Sequence, residues 1–227
     1  MQTVLKPLRS DLRYQGMFTA PAFELLGDPV PVYKSLLKHL GGYGATLGDL
    51  KYEGEGVSDT AISCSLLALN TWVWLRLTNV EVNFLKLADL TLDTAAGIFL
   101  QALAAFDENR GATTLRHHLV FFSTIASIEG ADYATLVRRY INFPAGLGDG
   151  VTGAVGFYLP LDASRGEQGA IILDTVTEGP QNISIRVNMS FDAEKLPTSD
   201  VPARVQEFID RQLDRLGLAL DRGTASS

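Results

Sequence analysis

The chain has 227 residues, 46% of them hydrophobic, and a net charge of −7 at neutral pH. That is enough apolar material for one large domain or two small ones, and it argues against a disordered chain. The acidic balance disfavours nucleic acid and anionic membrane surfaces, because both are recognised largely through basic side chains.

The charge is shared evenly. Through Arg110 there are 9 basic and 12 acidic residues, and after it 10 and 14, with no basic run in either part. A single cysteine, Cys64, rules out an intramolecular disulfide and any cysteine-built zinc or iron–sulfur site. The amino-terminal MQTVLKPLRSDLRYQG lacks an apolar run of signal-peptide length, and no window is apolar enough for a spanning helix. The expectation is a cytoplasmic protein, which leaves the Asn182-Ile183-Ser184 sequon without a glycosylation role.

Leu12 to Thr19 reads as a first strand. Asp28 then caps a helix whose prolines fit its first turn. Tyr33, Leu36, Leu37 and Leu40 form its apolar stripe, and Gly41-Gly42 ends it. Thr46 to Glu55 is a weaker strand. Ala61 to Leu87 is the most strand-like stretch and reads as two or three antiparallel strands, bent at Asn70-Thr71 and Thr78-Asn79. Ile62, Cys64, Leu66 and Ala68 share a face, with Leu67 and Leu69 on the other. Val80, Val82 and Phe84 alternate with Glu81 and Asn83, the period of a half-buried strand. A second helix starts near Thr91, repeats Leu92, Ala96, Phe99, Leu100, Leu103 and Phe106, and stops at Asn109-Arg110-Gly111.

The second half repeats this order. Leu115 to Ser127 is a long strand, and Asp132 to Asn142 a short helix. Three strands follow the glycine-rich PAGLGDG loop: Ala154 to Asp162, Gly169 to Thr177 and Ile183 to Phe191. In the last, Ile183, Ile185, Val187, Met189 and Phe191 face in, and Ser184, Arg186, Asn188 and Ser190 face out. A final helix runs from about Val201 to Leu220, with Asp200 at its start. Val205, Phe208, Ile209, Gln212, Leu213 and Leu216 line one side of it. The DRGTASS tail reads as frayed.

The pattern is α+β, two pseudo-repeated β-α-β-β-β-α units in mostly antiparallel sheet with long helices packed on one face. The first unit spans 1–111, the second 112–222, and residues 223–227 form the tail. Together they read as one compact domain. The stretch from TWVWLRLTNVEVNF to LVRRYINFPAGL, continued through LPLD and AIILDTVT, resembles a sporadically distributed, uncharacterised family of bacterial proteins of about this length. The resemblance covers residues 70 to 191. In that family a strand pair precedes a long helix, an Arg-Tyr-Ile-Asn motif follows, and β-hairpins close the domain. Arg139-Tyr140-Ile141-Asn142 stand in that order here, although the motif suits a strand and these residues read as the end of a helix. What the resemblance implies is architecture, without an activity.

Candidate chemistry is sparse. His117 and His118 are neighbours on a strand, so they point to opposite faces and cannot chelate one metal. His39 lies on a distant helix. Cys64 sits in an apolar strand, the setting of a buried small hydrophobe rather than a reactive thiol. Gly146-Leu147-Gly148-Asp149-Gly150 lacks the Lys-Ser/Thr of a phosphate loop and precedes a strand, so it reads as a turn. Asp49, Glu53 and Glu55, and Asp89 with Asp93, have no partner histidine and read as caps or solvated faces. Asp162 and Asp174 face each other across a hairpin, a poor metal site by themselves. Trp72, Trp74 and Arg76 share one strand face, either core under a helix or the wall of a contact surface. Arg139, Tyr140, Tyr158 and Arg186 are further binding candidates, joined by Arg138.

No cofactor, metal or catalytic set is expected. The leading expectation is a non-catalytic interaction or assembly protein that pairs with itself, as a homo-oligomer, or joins a larger protein complex, because long apolar strands leave edges that need cover. One rival is a small-molecule-binding protein with an aromatic pocket near Trp72 and Trp74. The other is a hydrolase or isomerase using His117 or His118.

Overall fold

The computed structural model describes residues 2–56, 59–87, 92–141, 153–160, 166–177 and 179–221. In chain order they form β1 (Thr3–Phe18), α1 (Phe23–Gly27), α2 (Pro29–Leu40), β2 (Leu50–Glu53), β3 (Ala61–Leu66), β4 (Thr71–Arg76), β5 (Asn79–Phe84) and α3 (Leu92–Asp107). Then come β6 (Leu115–Ile128), α4 (Tyr133–Val137), β7 (Val155–Pro160), β8 (Gln168–Thr175), β9 (Asn182–Asp192), α5 (Val201–Arg215) and β10 (Leu218–Leu220). The ten strands join one sheet in the order β2-β3-β4-β5-β1-β6-β9-β8-β7, with β10 beside the start of β1. The β1–β10 pair is parallel and the others are antiparallel. The fold is α+β around a mostly antiparallel sheet.

The centre of the sheet is β1 paired with β6 from Leu5↔Ile128 to Phe18↔Leu115. The expected first strand, Leu12 to Thr19, is only the second half of β1. A bulge between Pro7 and Arg9 breaks the alternation that would have announced the first half. Before the bulge Leu5 is buried, and after it Ser10, Tyr14, Gly16 and Phe18 are, so the buried parity switches from odd to even. Gly16 is needed where it stands: a β-carbon there would lie 2.7 Å from Leu115 Cδ2 and 2.9 Å from Val80 Cγ1.

Four other expectations shift. The strand expected over Thr46 to Glu55 shrinks to β2, because Thr46 and Asp49 close a capping box around the turn before it. Leu67–Leu69 form a 3-10 turn after β3 rather than strand, which leaves Leu67 66% exposed. The helix expected over Asp132 to Asn142 ends at Val137 and continues as turns through Tyr140, while Asn142 lies outside the described residues. The last helix ends at Arg215, not Leu220. Gly217 takes φ 66°, reverses the chain, and frees Leu218–Leu220 to pair with Thr3–Leu5.

One apolar cluster runs through the molecule and joins Tyr14, Val73, Val82 and Val120 of the sheet to helix residues of both halves. Phe99 of α3 meets the Tyr14 ring edge-on at 4.2 Å, and Phe106 stacks on Phe18 at 4.5 Å. Val205, Phe208, Ile209, Gln212 and Leu213 of α5 are buried as their spacing requires. Helix α2 is locked to α3 through Glu108, whose carboxylate accepts from Ser35 Oγ at 2.7 Å and pairs with Lys38 and His39. The Lys38 ammonium, then His39 and Ser35, hold the Glu108 carboxyl at about 2. His39 therefore has a structural partner, with its other ring nitrogen 2.9 Å from Gln101 Oε1.

Arg204 anchors α5 to the start of β8. Its Nε and Nη2 grip the two oxygens of the buried Glu167 carboxylate at 2.9 and 2.7 Å. A fork of this kind is costly to break from one side, because a buried carboxylate is left without its cation. Arg204→Met is expected to lower unfolding stability by about 3 kcal/mol, read by urea denaturation. A loss within the scatter of surface substitutions would contradict this role.

Candidate functional site

The strands present two unlike faces. On one, Val73, Leu75, Val80, Val82, Phe84, Val120, Val187 and Ile171 are buried in the common core. On the other, the register aligns Ser65, Trp72, Asn83, Arg13, Phe121, Asn188, Ala170 and Tyr158 in a row from β3 to β7. None of these eight side chains is fully buried, and Tyr158 is 89% exposed. The next row runs Ser63, Trp74, Glu81, Gln15, Leu119, Ser190 and Gln168.

Five expected site residues share this face: Trp72, Trp74, Arg76, Tyr158 and Arg186. Trp72 and Trp74 are half-buried and Arg76 exposed, with the Arg76 guanidinium 5.9 Å from the Trp74 ring centre. The tryptophans thus lie on the side opposite the α3 contacts. The two ends of the set are far apart. Trp72 and Tyr158 are separated by six inter-strand spacings, about 29 Å across the sheet.

Arg139 and Tyr140 do not belong to it. Arg139 Nη1 donates to Thr3 Oγ1 at 2.8 Å, and the Tyr140 hydroxyl donates to the Leu216 carbonyl at 2.6 Å. The Tyr140 ring meets Phe157 edge-on at 5.8 Å, and burial raises its pKa. Both side chains tie the turn after α4 to the sheet and to the end of α5.

Sequence reasoning missed three parts of the open face. Arg13 lies over the Phe121 ring at 4.5 Å, a cation–π pair. Glu81, 8% exposed and in register with Trp74, accepts from Gln15 Nε2 at 2.8 Å and Asn83 Nδ2 at 2.9 Å. Arg9, Asp11, Ser123, Thr124, Ile125, Ser184 and Arg186 line a shallow hollow of about 210 Å³. Its arginines are engaged, Arg9 with Asp11 at 3.1 Å and Arg186 with Asp174 at 3.0 Å. The signal was present: Arg13, Gln15 and Met17 alternate with Tyr14, Gly16 and Phe18, and that parity assigns them to the open side.

The histidine pair splits as the strand geometry requires. His117, half-buried, is in register with Met17 and Asp192 on the open face. His118 is fully buried, with Nδ1 2.5 Å from the Tyr14 hydroxyl. Burial drives the His118 pKa down to about 4 and raises that of Tyr14, so the ring is neutral and the phenol donates to Nδ1. The remaining proton is then on Nε2, which makes no well-formed hydrogen bond among the described residues, although the Leu196 backbone lies close enough to favour the protonated ring. Cys64 is buried too, and desolvation pushes its thiol up to about 12, which makes it unreactive.

Asp49 belongs to the capping box, and Glu53 accepts from Ser63 Oγ at 3.2 Å. Asp89, Asp162, the Gly146–Gly150 loop and the DRGTASS tail after Asp221 lie outside the described residues, as does the Asp93 side chain. Among the described residues no group of histidine, cysteine and carboxylate side chains could hold a metal ion, and no helix is long and apolar enough to cross a membrane.

No family model and no curated protein matches the sequence. Among solved structures, the regulatory subunit of aspartate kinase from Thermus flavus aligns with 92% of this chain and 97% of that one. The identity is 12% and the TM-score 0.20, a likeness too slight to carry an argument.

The His118 site sets an acid limit on stability. Unfolded, the ring binds a proton near its ordinary 6.5; folded, only near 4. The unfolded chain therefore holds the extra proton between these values. This contribution is complete above about pH 6.5 and is lost as pH falls towards 4, by up to about 3 kcal/mol. In His118→Asn, whose Oδ1 takes the place of Nδ1 as the acceptor for Tyr14, the dependence of urea stability on pH between 6.5 and 4 flattens. An unchanged slope would contradict the assignment.

Proposed function

We propose that the chain is a non-catalytic assembly protein of the cytoplasm, one that self-associates or joins a larger protein complex through its sheet. The observation that carries this reading is the sheet face opposite the common core, where half-buried or exposed Trp72, Trp74, Phe121 and Tyr158 are interleaved with Arg13, Arg76 and Arg186. Aromatic and arginine side chains are the types that dominate protein–protein contacts. Their spread over about 29 Å suits a macromolecular surface, since a small ligand spans only part of it.

The same proposal reads the chain as two related halves, residues 1–111 and 112–222, with the long helices on one face of the sheet. Its support is the strand order. The first half lies in the order β2-β3-β4-β5-β1 and the second in the order β6-β9-β8-β7, so each half sets its last long strand beside its first. The halves meet where β1 and β6 run antiparallel, and β2 and β7 become corresponding edges. The contacts of α3 with Tyr14 and Phe18, and the burial of α5 in the same cluster, fit helices on one side.

Light scattering across a dilution series tests the assembly reading. The expected result is a mass above the 24.6 kDa of one chain that falls towards it on dilution. A mass that stays at one chain at every concentration would overturn self-association.

A further inference from the structure

The two outer edges of the sheet are unlike. Edge strand β2 is four residues long and carries Lys51 and Glu53, the charged side chains that guard an edge against pairing. Edge strand β7 is six residues long, VGFYLP, and contains no charged residue in a chain of net charge −7. Among the described residues nothing pairs with its outer side. A long, uncharged edge is a template for another strand, and a neutral one is where two acidic copies approach without like charges in contact.

Strand β7 is also complementary to itself. Tyr158 is 89% exposed on the open face. Gly156, two residues away on the same side, leaves an empty site: a β-carbon there would meet only Ile172 Cγ1, at 3.9 Å. In an antiparallel pair of β7 strands related by a two-fold axis beside Phe157, Tyr158 of each copy lies directly opposite Gly156 of the other. An aromatic ring then covers a bare glycine twice, a cross-strand pairing that repairs edge glycines. Phe157 faces Phe157 on the core side, next to Val155, which the register sets opposite the other copy's Leu159.

We propose that β7 is the self-association edge, and that two copies pair antiparallel through it with Tyr158 set over Gly156 to make one continuous sheet. This rests on the assembly reading above and names the edge, the partner and the register. A second copy satisfies both exposed tyrosines at once, whereas a single added peptide leaves the symmetry of the match unused.

The test compares the full-length wild type with Tyr158→Glu, Gly156→Lys/Tyr158→Glu and Lys51→Glu by analytical ultracentrifugation. Circular dichroism checks that each is folded. The wild type and Lys51→Glu are expected to dimerise alike. Tyr158→Glu, a change at a solvent-exposed side chain, weakens association by about tenfold or more. The double variant restores it in a salt-sensitive manner, because the proposed register sets each new lysine opposite a new glutamate. A wild type that is strictly monomeric overturns self-association, and the β7 edge with it. A wild-type dimer unaffected by Tyr158→Glu leaves self-association standing and overturns the β7 edge. A double variant no better than the single overturns the register.

Discussion

The β1–β6 ladder is the constraint on which the rest of the structure depends. It runs nearly the full length of both strands, from Leu5↔Ile128 to Phe18↔Leu115, and connects residues about a hundred positions apart or more. The other strands are ordered outward from it, β5, β4, β3 and β2 on one side and β9, β8 and β7 on the other, with β10 beside the start of β1. Its buried side holds Tyr14 against both His118 and Phe99, so the ladder, the core and α3 meet at one tyrosine. Long-range pairing of this kind gains nothing until both halves have come together, which makes the sheet a single cooperative unit.

One face of the sheet lies in the common core, and the other carries mostly half-buried or exposed side chains, with Ser63 and Glu81 buried among them. Here that face is neither a charged shell nor bare apolar surface. Arginines lie over aromatic rings at Arg13–Phe121 and Arg76–Trp74, and Glu81 is held by Gln15 and Asn83. Such pairing keeps aromatic residues compatible with water while leaving them ready to be covered. The edges follow a similar logic. Lys51 and Glu53 protect β2, and no charge protects β7.

Alternation was the readable part of the fold. Strand β9 follows its burial pattern residue by residue, and the split of His117 from His118 follows from strand geometry alone. Trp72, Trp74 and Arg76 share one face for the same reason. Legibility failed where the local pattern was interrupted. Pro7, three charged residues and a bulge hid the first half of β1. Leu218–Leu220 looked like one more helical turn, because only the positive φ of Gly217 separates it from α5. Arg139 and Tyr140 looked like site residues because charge and aromaticity do not say which way a turn points. Their roles come from Thr3 and Leu216, far away in sequence.

Hydrogen exchange of the full chain, followed residue by residue, tests the cooperative ladder most directly. Central amides of β1 and β6 are expected to exchange last, at one common rate set by global unfolding, with those of β4 and β8 following their own halves only through faster local openings. Amides of β1 and β6 that exchange at clearly different rates, or two separate unfolding transitions for residues 1–111 and 112–222, would contradict it.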